Sequence, residues 1–202
     1  MSLASNALVS VAEYKSYIGL DPSDGNVRDE RLELFVNIAS QDIEKYCKRK
    51  FRSGSAVEIR DGNGTSVMYV DQSPIVTLSE IAYWYGSNTG FSALSSSDYD
   101  WETKDNAGKI YFTDGTEFTR GSMNWRLTYT YGYDRDDVPS DLKMACFQLV
   151  QRIELKAGNK GKDGKEGLQS ENFGDSSTTY DLATMPADIA KRLDNYRRRR
   201  FG

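Results

Sequence analysis

The chain of 202 residues contains no histidine, only two cysteines and only four prolines. Without histidine there is no imidazole general base, no Ser-His or Cys-His dyad, and none of the commonest zinc ligand. Carboxylates alone can catalyse some reactions, but no acidic residue is marked out by its position. No catalytic residue, cofactor-binding residue or metal ligand is therefore assigned, and an enzyme is not expected. The two cysteines, Cys47 and Cys146, each fall on the inward stripe of a predicted helix. Burial as small apolar groups is expected of them, since metal binding would want more ligands at short spacing; a disulfide between the two helices is the lesser alternative. No stretch approaches the ~18 consecutive apolar residues of a membrane span, and no secretory pattern opens the sequence. A soluble protein of a cytoplasm, with no membrane partner, is the expectation.

What is present is a polar, globular composition with an uneven charge. The net charge is −4, yet residues 191–202 hold six basic residues against one acid, a local +5 that leaves −9 on the rest. A basic end on an acidic body points to a tail that meets nucleic acid or an acidic protein surface, although arginines also suit a helix C-terminus. The 13 tyrosines outnumber the 8 phenylalanines and 3 tryptophans. Tyrosine has an apolar body and a polar tip, which suits half-wet strands and protein interfaces equally.

Two long helices frame the sequence. Over residues 29–48 the apolar positions Leu32, Phe35, Val36, Ala39, Ile43, Tyr46 and Cys47 keep the three-and-four spacing of one helical face. Over residues 139–157 the stripe is Leu142, Ala145, Cys146, Leu149, Val150 and Ile153, opened by Pro139 in the first turn. Each stripe needs a cover, and the simplest is the other helix. Upstream, residues 1–9 read as a frayed end. Ser10 and Glu13 have capping-box spacing for a short helix that Gly19 stops. The acidic loop that follows does not match a calcium-binding EF-hand, because its twelfth position is Leu32.

After Phe51 the period becomes two. Val57 and Ile59, then Val67 and Tyr69, flank Asp61-Gly62-Asn63-Gly64, which reads as a hairpin turn. Further strands are expected through Ile81 and Tyr83, around Tyr99 and Trp101, and over 109–112. The clearest is 125–131, with Trp125, Leu127, Tyr129 and Tyr131 on one side. Six or so short strands indicate a small antiparallel sheet, curled or sandwiched. Asp98, Asp100, Glu102 and Asp105 read as solvated strand residues rather than a metal site. The Gly/Lys-rich residues 158–167 lack the spacing of a phosphate loop and read as a flexible linker. Beyond them lies a polar, β-capable stretch, then a last helix with Ile189, Leu193 and Tyr196 on a narrow stripe. Such a segment becomes ordered on a sheet or a neighbour.

These expectations make an α+β fold: a small helical bundle with an inserted antiparallel β unit and a C-terminal arm ending in a helix. The helical core comprises residues 1–52 and 137–157, the β unit 53–136, the linker 158–167 and the assembly arm 168–202.

The motifs Tyr46-Cys47-Lys48-Arg49-Lys50-Phe51, Thr128-Tyr129-Thr130-Tyr131-Gly132-Tyr133, Val138-Pro139-Ser140-Asp141, Glu171-Asn172-Phe173-Gly174-Asp175-Ser176 and Leu193-Asp194-Asn195-Tyr196-Arg197-Arg198 occur in this order. In that order the chain resembles the head–tail connector (adaptor, head completion) proteins of tailed bacteriophages and prophages. The resemblance implies a non-enzymatic virion protein, assembled in the host cytoplasm. It would form a ring, commonly of twelve, at the portal vertex that joins the DNA-filled head to the tail. Its partners would be the portal protein, neighbouring copies of itself and the next tail or head-completion protein, with transient contact to DNA in the channel. The interface would use Phe173, Gly174, Asp175, Tyr180, Ile189, Leu193 and Tyr196, together with Arg197, Arg198, Arg199 and Arg200. The alternative is a tyrosine-rich β module that grips carbohydrate or single-stranded nucleic acid by stacking.

Overall fold

The computed structural model describes every residue except 1, 24–26, 103–107, 160–169, 174–175, 180–184 and 199–202; at 27–28, 158–159, 170–173 and 176–179 it describes the backbone alone. The chain divides into two units, Met1–Cys47 with Val138–Asn195, and Lys48–Asp137 with Tyr196–Gly202.

The first unit carries four α-helices among its described residues: α1 (Val11–Tyr17), α2 (Val27–Cys47), α3 (Ser140–Asn159) and α4 (Ala187–Leu193). Ser10 and Glu13 close the capping box at α1: the Ser10 N–H donates to the Glu13 carboxylate at 2.7 Å, and the Glu13 N–H donates to Ser10 Oγ at 3.1 Å. Helix α2 packs on α3 through the stripes expected of them. Leu32, Phe35, Val36, Ala39, Ile43 and Cys47 are buried from α2, and Leu142, Ala145, Cys146, Leu149 and Val150 from α3. Both cysteines are free thiols. Cys146 Sγ lies 3.7 Å from Ser40 Oγ, and burial pushes its pKa up to about 12.

The N-terminal residues are not frayed. Ala7, Leu8 and Val9 are fully buried. The Ala4 N–H donates to Asn37 Oδ1 at 2.8 Å, the Leu8 N–H to Ser40 Oγ at 3.1 Å, and Asn6 Nδ2 to Glu44 Oε2 at 3.0 Å. Asn37, Ser40 and Glu44 recur at helical spacing, so one polar line on α2 satisfies a turn-containing N-terminal segment whose own apolar residues are buried. Asn37 reads in sequence as a residue that can stay in water; here it is structural.

The second unit is a β structure. Strands β1 (Gly54–Gly62), β3 (Ile75–Trp84), β4 (Phe91–Ala93) and β7 (Gly121–Tyr131) form one antiparallel sheet in the order β1-β7-β3-β4. Strands β2 (Val67–Tyr69), β5 (Tyr99–Glu102) and β6 (Lys109–Phe112) form a second in the order β2-β6-β5. A shared core joins them: Leu78, Ile81, Trp125, Leu127 and Tyr129 from the first, Met68, Tyr99, Ile110 and Phe112 from the second, and Phe118 from the intervening segment. A two-stranded sheet of β8 (Ser170–Phe173) and β9 (Ser176–Thr179) completes the strands, and its sequence lies in the first unit.

Two further sequence expectations need correction. The fold is α+β with a terminal helix, but its frame is not a small helical bundle; it is sheet-rich, with two main antiparallel sheets and only four α-helices among the described residues. Two of those helices, α1 and α4, have seven residues each, whereas β1, β3 and β7 run 9, 10 and 11 residues. Residues 61–64 do not close a hairpin. β1 pairs with β7 and β2 with β6, so the turn is a corner between sheets. Gly62 is needed there because a Cβ would sit 1.7 Å from Thr119 O, and Gly64 has φ +71°. On β1, Val57 and Ile59 stand 64% and 44% exposed. The inward positions of β1 belong to Ala56, Glu58 and Arg60.

Candidate partner interface

The segment expected to meet partners begins at α4. Ile189 and Leu193, four residues apart on one face, are both fully buried in the first unit, where α4 packs on α3. Burial of each is worth about 1.5–3 kcal/mol gross. The Cys47 thiol donates to Leu193 O at 3.9 Å, and the Tyr46 hydroxyl donates to Asp194 Oδ1 at 2.8 Å. Exposed ion pairs flank the helix, Arg152 with Asp188 at 3.2 Å and Arg192 with Asp141 at 3.5 Å; such pairs contribute roughly 0–1 kcal/mol. The two apolar side chains that sequence marked as anchors thus hold the segment to the chain's own helices.

A 3-10 turn, Asp194–Tyr196, ends the helix and carries the chain into the second unit. There the Tyr196 ring meets Phe51 edge-on, centroids 6.1 Å apart, and the Arg49 guanidinium lies 4.9 Å from the same Phe51 ring. Arg197 and Arg198 are exposed, and Arg198 pairs with Asp71.

Asp71 is part of a polar knot built on β1. Glu58 Oε1 accepts from the Tyr129 hydroxyl and from the Asp71 N–H at 3.0 Å, while Oε2 accepts from Arg60 Nε at 2.8 Å. Arg60 also pairs with Asp71, and the Gln72 N–H donates to the Tyr129 hydroxyl at 3.1 Å. Burial works against the Arg60 charge, but the bonds from Asp71 and Glu58 outweigh it and raise its pKa. Burial, followed by the Glu58 carboxylate, pushes the Tyr129 phenol far above its ordinary value, so it acts here as a fixed donor. Neither Phe51 nor Asp71 was marked in sequence as part of an interface. Phe51 showed as the point where the period changes and as the end of the Tyr46–Phe51 motif, and Asp71 gave no signal.

Of the other expected interface residues, Phe173 lies on the backbone of β8, while Gly174, Asp175, Tyr180, Arg199 and Arg200 fall outside the described residues. The linker expectation falls there too, except that α3 runs on through Asn159. Tyr14, Tyr99 and Tyr129 are core residues, which takes them from the stacking platform that a sugar- or nucleic-acid-binding module would need. Among the described residues, no group of three or more His, Cys, Asp or Glu can hold a metal ion, and no helix is long and apolar enough to cross a membrane.

No curated protein matches the chain. Among solved structures, the chain is similar to one from the neck of a native gene transfer agent (GTA) particle computed with C12 symmetry. Identity is 16% and the TM-score 0.60, with 100% of this chain and 94% of that chain covered. Chains from the neck of an empty GTA particle computed with C6 symmetry and from the native GTA virion are similar over the same extents, each at 16% identity and a TM-score of 0.59. At that identity the likeness is one of fold. A family model described as head completion protein matches residues 7–199. The chain belongs to the head completion protein family and is, as such, a structural component of the head–tail connection of a phage-like virion.

Proposed function

We propose that the chain forms a ring at the portal vertex, joining the DNA-filled head to the tail, and that it does so without catalysis. The observation that carries this reading is the family match across residues 7–199. Support comes from a fold shared over the whole chain with subunits of particle necks computed with C6 and C12 symmetry. The partners in this reading are the portal protein, neighbouring copies and the next tail or head-completion protein.

In this reading the C-terminal segment is the assembly arm. Ile189 and Leu193 fix its root, and the arm's reach comes from what lies on either side of α4. The stretch through Phe173, Gly174, Asp175 and Tyr180 and the run Arg197, Arg198, Arg199 and Arg200 meet the portal and adjoining copies. Their charge makes an acidic protein surface the favoured contact and channel DNA the second choice. Gold labelling of an affinity tag on this chain within intact particles tests the placement. Label confined to the head–tail junction is expected; label on the tail tip or capsid faces would overturn it.

A further inference from the structure

The second unit contains a cleft of about 280 Å³ floored by the core rings Phe112 and Trp125. Its walls include Tyr83, Tyr85, Phe112 and Trp125, and its lining carries three carboxylates, Asp98, Asp114 and Glu117. The rings form a corner: Tyr83 and Tyr85 meet edge-on at 5.0 Å, and Tyr83 lies 4.8 Å from Trp125. Trp125 Nε1 donates to Thr119 O at 3.2 Å and its indole is only 4% exposed, so it closes the floor of the cleft, and Tyr83 and the exposed Tyr85 supply the accessible ring surface. The Asp114 carboxylate accepts from the Thr116 N–H at 2.9 Å and its hydroxyl at 2.8 Å, and Asp98 accepts from Ser97 Oγ at 2.9 Å. Among the described residues, no lysine or arginine lines the cleft.

Tyrosine faces beside clustered carboxylates suit a cation, and a guanidinium best, because it stacks on a ring while forking to carboxylate oxygens. The volume lies just under the roughly 300–1,000 Å³ of small-molecule sites, which fits one or two side chains rather than an extended sugar chain. The strongest source of such cations is the chain itself, whose last twelve residues sum to +5 against −9 elsewhere. Arg198 is paired with Asp71, and Arg199 and Arg200 follow it in the sequence. A closed ring needs two different, mutually complementary patches on each subunit. We propose that the aromatic–acidic cleft of one copy receives the arginines at the end of a neighbouring copy, Arg199 and Arg200. This rests on the ring reading above and names the contact that would close it.

The test titrates a labelled peptide of residues 191–202 into the full-length chain, with oligomer mass recorded on the same samples. Saturable, salt-sensitive binding is expected. The variant Asp98→Asn/Glu117→Gln should weaken it about tenfold, as should glutamines at both peptide arginines 199 and 200. Tyr85→Ala, an exposed site, should weaken it several-fold, whereas Asp71→Asn should leave it unchanged. Equal binding by the cleft variants, or loss with Asp71→Asn alone, would overturn the proposal, as would displacement of the peptide by a maltooligosaccharide. A ring that assembles without peptide reaching the cleft removes the cleft contact alone. Cleft binding by a chain that never assembles supports the contact chemistry and removes the ring.

Discussion

Arg198 and Asp71, 127 positions apart in the chain, form an ion pair on the same carboxylate oxygen that holds Arg60. Asp71→Asn should therefore release the terminal segment from the second unit while leaving both units folded. Amide exchange at residues 196–198 should rise, and stability should fall by only about 1 kcal/mol, since the groups are partly exposed. Unchanged protection at 196–198 would show that Tyr196 on Phe51 alone sets the position.

Glu58 is the residue on which the β unit's polar interior depends. Its side chain is 13% exposed and accepts from Tyr129, Asp71 and Arg60 together. Glu58→Gln removes the charge that pairs with Arg60 and should cost about 2–4 kcal/mol in urea unfolding. Tyr129→Phe deletes one donor and should cost about 1 kcal/mol, with the two changes coupled in the double variant. Additive costs would mean that the two side chains act independently.

Helix α4 is core. Ile189→Ala and Leu193→Ala should each cost about 2–5 kcal/mol, because each empties a fully buried site. Ending the chain after Asn195 should instead leave the melting temperature of the first unit nearly unchanged, since both buried anchors remain. Thermal unfolding followed by circular dichroism separates the two classes of change.

Acid should loosen α1 first. Burial pushes the Glu13 carboxyl up, but bonds from Lys143 and from the Ser10 N–H and hydroxyl outweigh it and leave the pKa below its ordinary 4.5. A depressed carboxylate contributes stability that is present above about 4.5 and is lost as pH falls through the lower, folded value. Melting temperatures of the parent chain and of Glu13→Gln should therefore run parallel from pH 7 to 5 and converge below about 4.5. Convergence above pH 5 would place the titration elsewhere.

Local signals in the sequence were faithful where one element sufficed to satisfy them. The Ser10–Glu13 box, the stripes of α2 and α3, and the alternation of β7 all appear in the structure because each depends on near neighbours or on burial of one face. Of the contacts made across long separations, the packing of α2 on α3 was legible from their stripes, but the pairing of the strands was not. The polar interior of β1 could not be read locally, because Glu58 finds its partner Tyr129 71 residues further along the chain. The turn at 61–64 had hairpin chemistry, yet the partner of β1 is β7. Within the candidate interface, Ile189, Leu193 and Tyr196 were visible as a stripe. Their partners Cys47 and Phe51 were not, since nothing local announces what a terminal helix will pack upon.

The ring at the portal vertex is tested most directly by sedimentation of the full-length chain with the portal oligomer of its own particle, compared with the chain ended after Asn195. The full-length chain should co-sediment in a fixed multiple per portal oligomer, and the shortened one should remain folded and unbound. Full-length chain that stays monomeric beside the portal at every concentration would contradict a ring-forming connector.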